Sequence, residues 1–222
     1  MNRLDIMTED MPVSVFLPDV PAEGVILLPM ECQRAAGVWQ AVKQPCAALI
    51  AVGGFDWNRD LSPWSAQAVF PGEDDFSGGA DAFLEKITGK ILPQAEQAAG
   101  LKPKWRAVAG YSLAGLFAAY AVFRCAAFSR MASVSGSMWF DGWLDYAERT
   151  PLHAPVERAY FSAGAKEKRT RNARMAPVEE NTRRMQALFE SRGVRSLFEL
   201  NPGNHFVDME IRMAKAIDFL SK

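Results

Sequence analysis

Hydrophobic positions along this chain fall into two rhythms that alternate from one end to the other. Short apolar runs bounded by Pro or Gly read as strands at residues 12–17, stopped by Pro18, at 25–28, ending at Pro29, and at 47–52, ending in Gly53-Gly54. Similar runs follow at 105–109, 131–134, 158–162 and 194–200. The run at 47–52 has no polar interruption, the pattern of a central strand buried on both faces. Between the runs the spacing turns helical. Residues 31–42 predict a helix weakened by Gly37. Over 80–99, Phe83, Leu84, Ile87, Ile91 and Leu92 fall on one side, with Pro93 placed to kink or divide the helix. Residues 113–125 are apolar nearly all round, so that helix is expected to be buried. An amphipathic helix is predicted at 178–191, stopped by Gly193, and a final helix at 208–220. Residues 55–79 read as one long loop, a length that usually signals function or mobility. Strand alternating with helix predicts an α/β fold: a mostly parallel central sheet with helices on both faces.

Composition narrows the class. At 222 residues, 49% apolar and 23% charged, the chain resembles an ordinary globular protein and is long enough for one sizeable core. No repeat, low-complexity tract or linker divides it, so residues 1–222 are expected to form one domain. The net charge of −1 supplies no basic stripe, which argues against nucleic acid as a partner. Cys32, Cys46 and Cys125 are far apart and odd in number, with no C-x-x-C, so neither a zinc site nor a disulfide framework is signalled. They suit a reducing compartment. There is no apolar leader segment and no run approaching 18 apolar residues, so a cytoplasmic protein off the membrane is expected.

The sharpest chemical signal is Gly110-Tyr111-Ser112-Leu113-Ala114-Gly115. It follows a predicted strand and opens a predicted helix, the setting of a nucleophile elbow. Small residues are needed two before and two after the serine, and Gly110 and Ala114 supply them. Ser112 then stands at the tip of the turn beside the helix N-terminus. A serine nucleophile needs a base, and the chain has two histidines. His153 lies in an irregular segment. His205 follows the last strand, where working residues of such sheets lie, and comes after Ser112 in the chain. The orienting carboxylate should follow the preceding strand, and Glu167 is the first one there. Glu179, or a Ser–His pair without an acid, are the alternatives. For the oxyanion, Leu113 N–H is one expected donor, and either Met30 or Glu31, after the second predicted strand, is the other.

With these residues in place the chain resembles the esterase D branch of the α/β-hydrolases, above all its enterochelin-esterase-like members. The family's G-x-S-x-G-G-L elbow is matched by residues 110–116 with Ala114 substituted. Its Gly-Gly-Ala-x-x-Phe and Ile-x-Pro runs are matched by Gly78 to Phe83 and Ile91 to Pro93. Its Ser-x-Ser-hydrophobic-Trp run is matched by Ser135 to Trp139, and its Gly-x-x-Glu by Gly164 to Glu167. Pro202 to His205 match its Gly-x-x-His with the spacing one shorter, and Arg59 to Pro63 match an Arg-x-x-x-Pro run. Where the family often carries Asp-Gly at the oxyanion loop, this chain has Pro29-Met30. The resemblance implies hydrolysis of a small-molecule ester through an acyl-serine, with no metal or organic cofactor. Relatives cleave siderophore trilactones, S-formylglutathione or feruloyl esters, and others transfer mycolyl groups. Some work without the acid.

Substrate contacts are expected from Trp57, Arg59, Tyr111 and Trp139. Phe55, Trp64, Phe70, Phe140 and Trp143 either join that lining or pack as core under the long loop. Lys166, Lys168, Arg169, Arg171 and Arg174 form a basic run that either meets an anionic substrate or is a solvated loop. Two other readings are an acyltransferase that uses an alcohol in place of water, and a catalytically silent binding module of the same fold.

Overall fold

The structure, a computed structural model, describes residues 2–43 and 45–222. Its main sheet has eight strands: β1 (Asn2–Thr8), β2 (Met11–Leu17), β3 (Gly24–Pro29), β4 (Ala47–Val52), β5 (Trp105–Tyr111), β6 (Arg130–Val134), β7 (Arg158–Gly164) and β8 (Arg195–Asn201). The strand order is β1-β2-β4-β3-β5-β6-β7-β8. β2 runs antiparallel to β1 and β4, and the remaining pairs are parallel.

β3 and β4 are buried at every position. Alternation of side chains along a strand therefore feeds two cores. Val25, Leu27, Ala48, Ile50 and Val52 enter one. Ile26, Leu28, Ala47, Leu49 and Ala51 enter the other. The first core is covered by helices Leu113–Arg124, Val178–Ser191 and Trp143–Arg149 and by the helical segment that starts at Ala80. The second is covered by Cys32–Ala41 and Met209–Leu220. Among the described residues no helix is long and apolar enough to cross a membrane.

The α/β expectation holds, with local corrections. β1 is absent from the predicted strands. It is an edge strand with an alternating, mostly exposed pattern, joined to β2 through Glu9 and Asp10, both at positive φ. Such a two-residue turn matches the twist of a hairpin. The 80–99 helix is divided just ahead of Pro93, as expected. It runs as Ala80–Lys86, a π turn over Ile87–Ile91, and Leu92–Ala98. Pro93 lacks an N–H to donate, and it sits in the first turn of the last segment, where none is needed. The 55–79 loop holds a helical turn, Trp57–Asp60, capped by the Asp56 side chain, and a two-residue ribbon pairing Ser65–Ala66 with Phe76–Ser77. Helix Trp143–Arg149 was not expected either.

β3 is flanked by β4 on one side and β5 on the other. The chain thus changes direction across the sheet at β3, and the crevice beyond the carboxyl ends of the strands at that point is where ligands bind in open α/β sheets.

Candidate active site

The site is built on the carboxyl ends of β5, β7 and β8. β5 ends at Tyr111 and the buried helix opens at Leu113, leaving Ser112 alone in the turn at φ 59 and ψ −123. Few residues other than glycine rest there. The turn is so tight that a Cβ on Gly110 would lie 2.0 Å from the Ala114 carbonyl oxygen. A Cβ on Gly115 would lie 3.0 Å from Gly110 O, Gly136 Cα and Ser133 Oγ. The crowding that forbids a side chain thus falls at position 110, position 115 is tight, and Ala114 keeps its methyl. Backbone hydrogen bonds from Ser112 N–H to Val134 O (3.1 Å) and from Ser137 N–H to Ser112 O (3.0 Å) tie the turn to β6 and its following loop.

His205 follows β8. Its Nε2 lies 3.0 Å from Ser112 Oγ, and its Nδ1 lies 3.1 Å from Glu167 Oε2. Glu167 opens a single 3-10 turn just after β7, and its other oxygen accepts the Gly164 N–H at 2.6 Å. That approach needs a glycine, because a Cβ on Gly164 would lie 2.7 Å from Glu167 Oε1. Burial pushes the Glu167 carboxyl up, but the hydrogen bond and charge of His205, with Ser135 and the Gly164 N–H, outweigh it and hold the group below its ordinary value. The side chain is 5% exposed.

Other expected residues sort by contact. Glu179 pairs with Lys168 and Arg183 on its own helix face, away from the imidazole. His153 is exposed, its N–H bonded to Val122 O. The Met30 N–H is taken up by the Val52 carbonyl at 3.0 Å, as the pairing of β3 with β4 continues past Pro29. That withdraws Met30 as an oxyanion donor and leaves Glu31, whose side chain turns back to accept the Gly54 N–H. Leu113 heads its helix, so its N–H has no partner within the helix.

Above Ser112 lies a cleft of about 760 Å³. Ser112, Leu113, Glu167 and His205 line it, together with Trp57, Phe70, Phe76 and Trp139. Lys166 and Arg169 enter from the segment after β7, and Glu73 and Asp74 from the long loop. Trp57 and Trp139 thus lie where substrate contacts were expected, whereas Arg59 and Tyr111 do not. Arg59 turns to Asp60 at 2.7 Å over an adjoining depression that shares Trp57, Asn58 and Asp74 with the cleft. Tyr111 sits behind the histidine and donates from its hydroxyl to the His205 carbonyl at 2.5 Å. Phe70 joins the lining, but Phe55 packs on Trp57 and Phe83, Trp64 packs among Tyr120, Phe140 and Tyr146, and Trp143 is fully buried. The basic run divides likewise: Lys168 pairs with Glu179 and Arg174 with Asp141.

Sequence reasoning missed Arg212. It is 1% exposed, and its guanidinium reaches Glu167 Oε1 at 3.3 Å, Ser135 Oγ at 3.0 Å and the carbonyls of Pro202 and Asn204 at 2.7 and 2.9 Å. The available signal was its place on the last helix. Met209, Met213, Ala216, Ile217 and Leu220 form the buried stripe, and position 212 falls within it.

The family model described as Putative esterase matches residues 34–209. The uncharacterised protein YbbA of Bacillus subtilis (strain 168) is 22% identical over 174 residues, covering 77% of this chain and 70% of its own. Among solved structures, the siderophore hydrolase EstA from Aspergillus nidulans superposes with a TM-score of 0.74 at 19% identity, covering 99% of this chain and 93% of its own. An IroE-like serine hydrolase from Shewanella oneidensis gives 0.78 at 13% identity, covering 98% and 78%. These two likenesses bear on the fold, which is that of the α/β-hydrolases.

Proposed function

The chain belongs to the Putative esterase family and is a hydrolase acting on esters, and from that premise we propose that Ser112, His205 and Glu167 form its catalytic relay. The observation that carries this reading is the pair of contacts, 3.0 and 3.1 Å, that joins serine, imidazole and carboxylate on the floor of one cleft. Glu167 accepts the Nδ1–H of His205, which leaves Nε2 unprotonated and facing the serine. The Ser112 oxygen attacks the ester carbon while Nε2 takes its proton. The oxyanion is held by the N–H groups of Leu113 and Glu31. The alcohol leaves with the proton from Nε2, and water then attacks the acyl-serine by the same route, freeing the acid and restoring Ser112.

The proposed substrates are siderophore esters, in line with the name given to EstA. The cleft suits an aromatic or acyl ester whose negative charge lies toward Lys166 and Arg169 rather than toward Glu73 and Asp74. Trp57, Phe70 and Trp139 offer apolar faces, and Lys166 and Arg169 offer cations. Three free cysteines fit work in a reducing cytoplasm. A panel comparing a siderophore trilactone, a neutral aryl ester and the matching amide tests the reading. The trilactone should be hydrolysed with the highest kcat/KM, and Ser112→Ala should lose at least about a thousandfold on every ester. Equal turnover by Ser112→Ala overturns the mechanism. A neutral ester preferred over the trilactone overturns the substrate class.

A further inference from the structure

Arg212 is a full charge buried at 1% exposure, which is costly unless every polar contact is met. Here the contacts converge on the site from separate elements. Nη1 donates to Ser135 Oγ, after β6, and lies 3.3 Å from Glu167 Oε1, after β7. It also lies 3.4 Å from the Tyr111 hydroxyl, at the end of β5. Nη2 donates to Pro202 O and Asn204 O, the carbonyls just before His205. The Tyr111 hydroxyl in turn donates to the carbonyl of His205 itself. One guanidinium thus fastens the loop of the acid to the loop of the base. It shares Oε1 of Glu167 with the Gly164 N–H, and Oε2 faces the imidazole.

We propose that Arg212 is a positioning residue for ester cleavage, one that locks Glu167 and the His205 loop into a single arrangement and offsets the carboxylate charge facing the imidazole. The proposal rests on the Ser112–His205–Glu167 reading. The charged and titratable groups that face His205 or share its cleft are Tyr111 from β5, Lys166, Glu167 and Arg169 from the segment after β7, Glu73 and Asp74 from the long loop, and Arg212 from the last helix, with Asp208 three residues further along its own loop. Of the two side chains that meet the Glu167 carboxylate, His205 takes the proton in the proposed relay and Arg212 does not. Removing the Arg212 charge leaves the carboxylate uncompensated, which favours the imidazolium. The base is then lost at a higher pH. A residue that only held the fold would lower the rate without moving the pH at which it falls.

The experiment is the pH profile of kcat/KM for p-nitrophenyl acetate in wild type, Arg212→Met, Arg212→Lys, Glu167→Gln and the double variant Glu167→Gln/Arg212→Met. Arg212→Met should lose plateau kcat with little change in KM, and its acid limb should move up by about one pH unit. Arg212→Lys keeps the charge and should keep the limb in place while regaining part of the plateau. In the Glu167→Gln background the second substitution should cost much less of the plateau kcat than it does in wild type, because the carboxylate that Arg212 positions is already gone. A wild-type limb in Arg212→Met, or an undiminished loss of plateau kcat in the Glu167→Gln background, overturns the proposal. Should Arg212→Met fail to fold, Arg212→Gln, uncharged but still a donor, makes the same comparison. An inactive wild type that takes no phosphonate adduct overturns the relay itself, whereas an active wild type with an unshifted variant overturns only the role of Arg212.

Discussion

Ser112 is held at φ 59 by a turn with no spare room, and Gly110 is the residue that room depends on. A Cβ there would lie 2.0 Å from a backbone oxygen that cannot swing aside. Gly110→Ala should therefore cost about 2–4 kcal/mol in a urea melt and lower activity with it. Ala114→Gly, at a site that tolerates either residue, should cost about 1 kcal/mol or less through helix propensity. A stable, active Gly110→Ala would show the turn to be looser than described. Ser112, His205 and Glu167 were legible because each sits at a strand end in the order such chemistry uses. Arg212 was not, because a lone cation in a helix reads as a surface residue until its apolar neighbours Met209 and Ala216 are seen to share its face. Met30 was misread for a different reason. Its N–H is spent on Val52, and that depends on the register of β3 against β4, which no local pattern contains.

At the scale of elements, legibility followed burial. β4 and the helix Leu113–Arg124 are buried along nearly their whole length, and their unbroken apolar runs announced them. β1 lies at the sheet edge, where only Leu4, Ile6 and Thr8 turn inward, and Arg3 and Asp5 between them mask the alternation. Helix Trp143–Arg149 buries only Trp143 and Ala147, too few positions to set a period. The aromatic residues of the long loop split between cleft and core for the same reason: composition shows how many there are, and only packing shows which way each one points. The elbow helix carries the first core, with Phe117 fully buried against Phe83. Phe117→Ala should lower stability by about 3–5 kcal/mol, read from the denaturation midpoint at unchanged slope. A loss under about 1 kcal/mol would mean that the surrounding side chains close the cavity.

At the scale of the molecule, the proposed relay has folding and function share one ionised carboxylate. The folded state holds Glu167 below its ordinary value, so its stabilising contribution is complete above the unfolded value and fades as pH falls through the lower folded one. Glu167→Gln should be less stable than wild type near neutrality, and the gap should close in acid. A gap that stays constant with pH would show that the carboxylate acts through packing rather than charge. The whole fold serves to bring the ends of β5, β7 and β8 to one crevice beside β3, and the claim at its centre is that Ser112 is an activated nucleophile there. The most direct measurement is intact-mass labelling with a fluorophosphonate, wild type beside Ser112→Ala. One adduct on wild type and none on the variant is the predicted result. A folded wild type that takes no adduct, or a Ser112→Ala that takes the same one, would contradict the account.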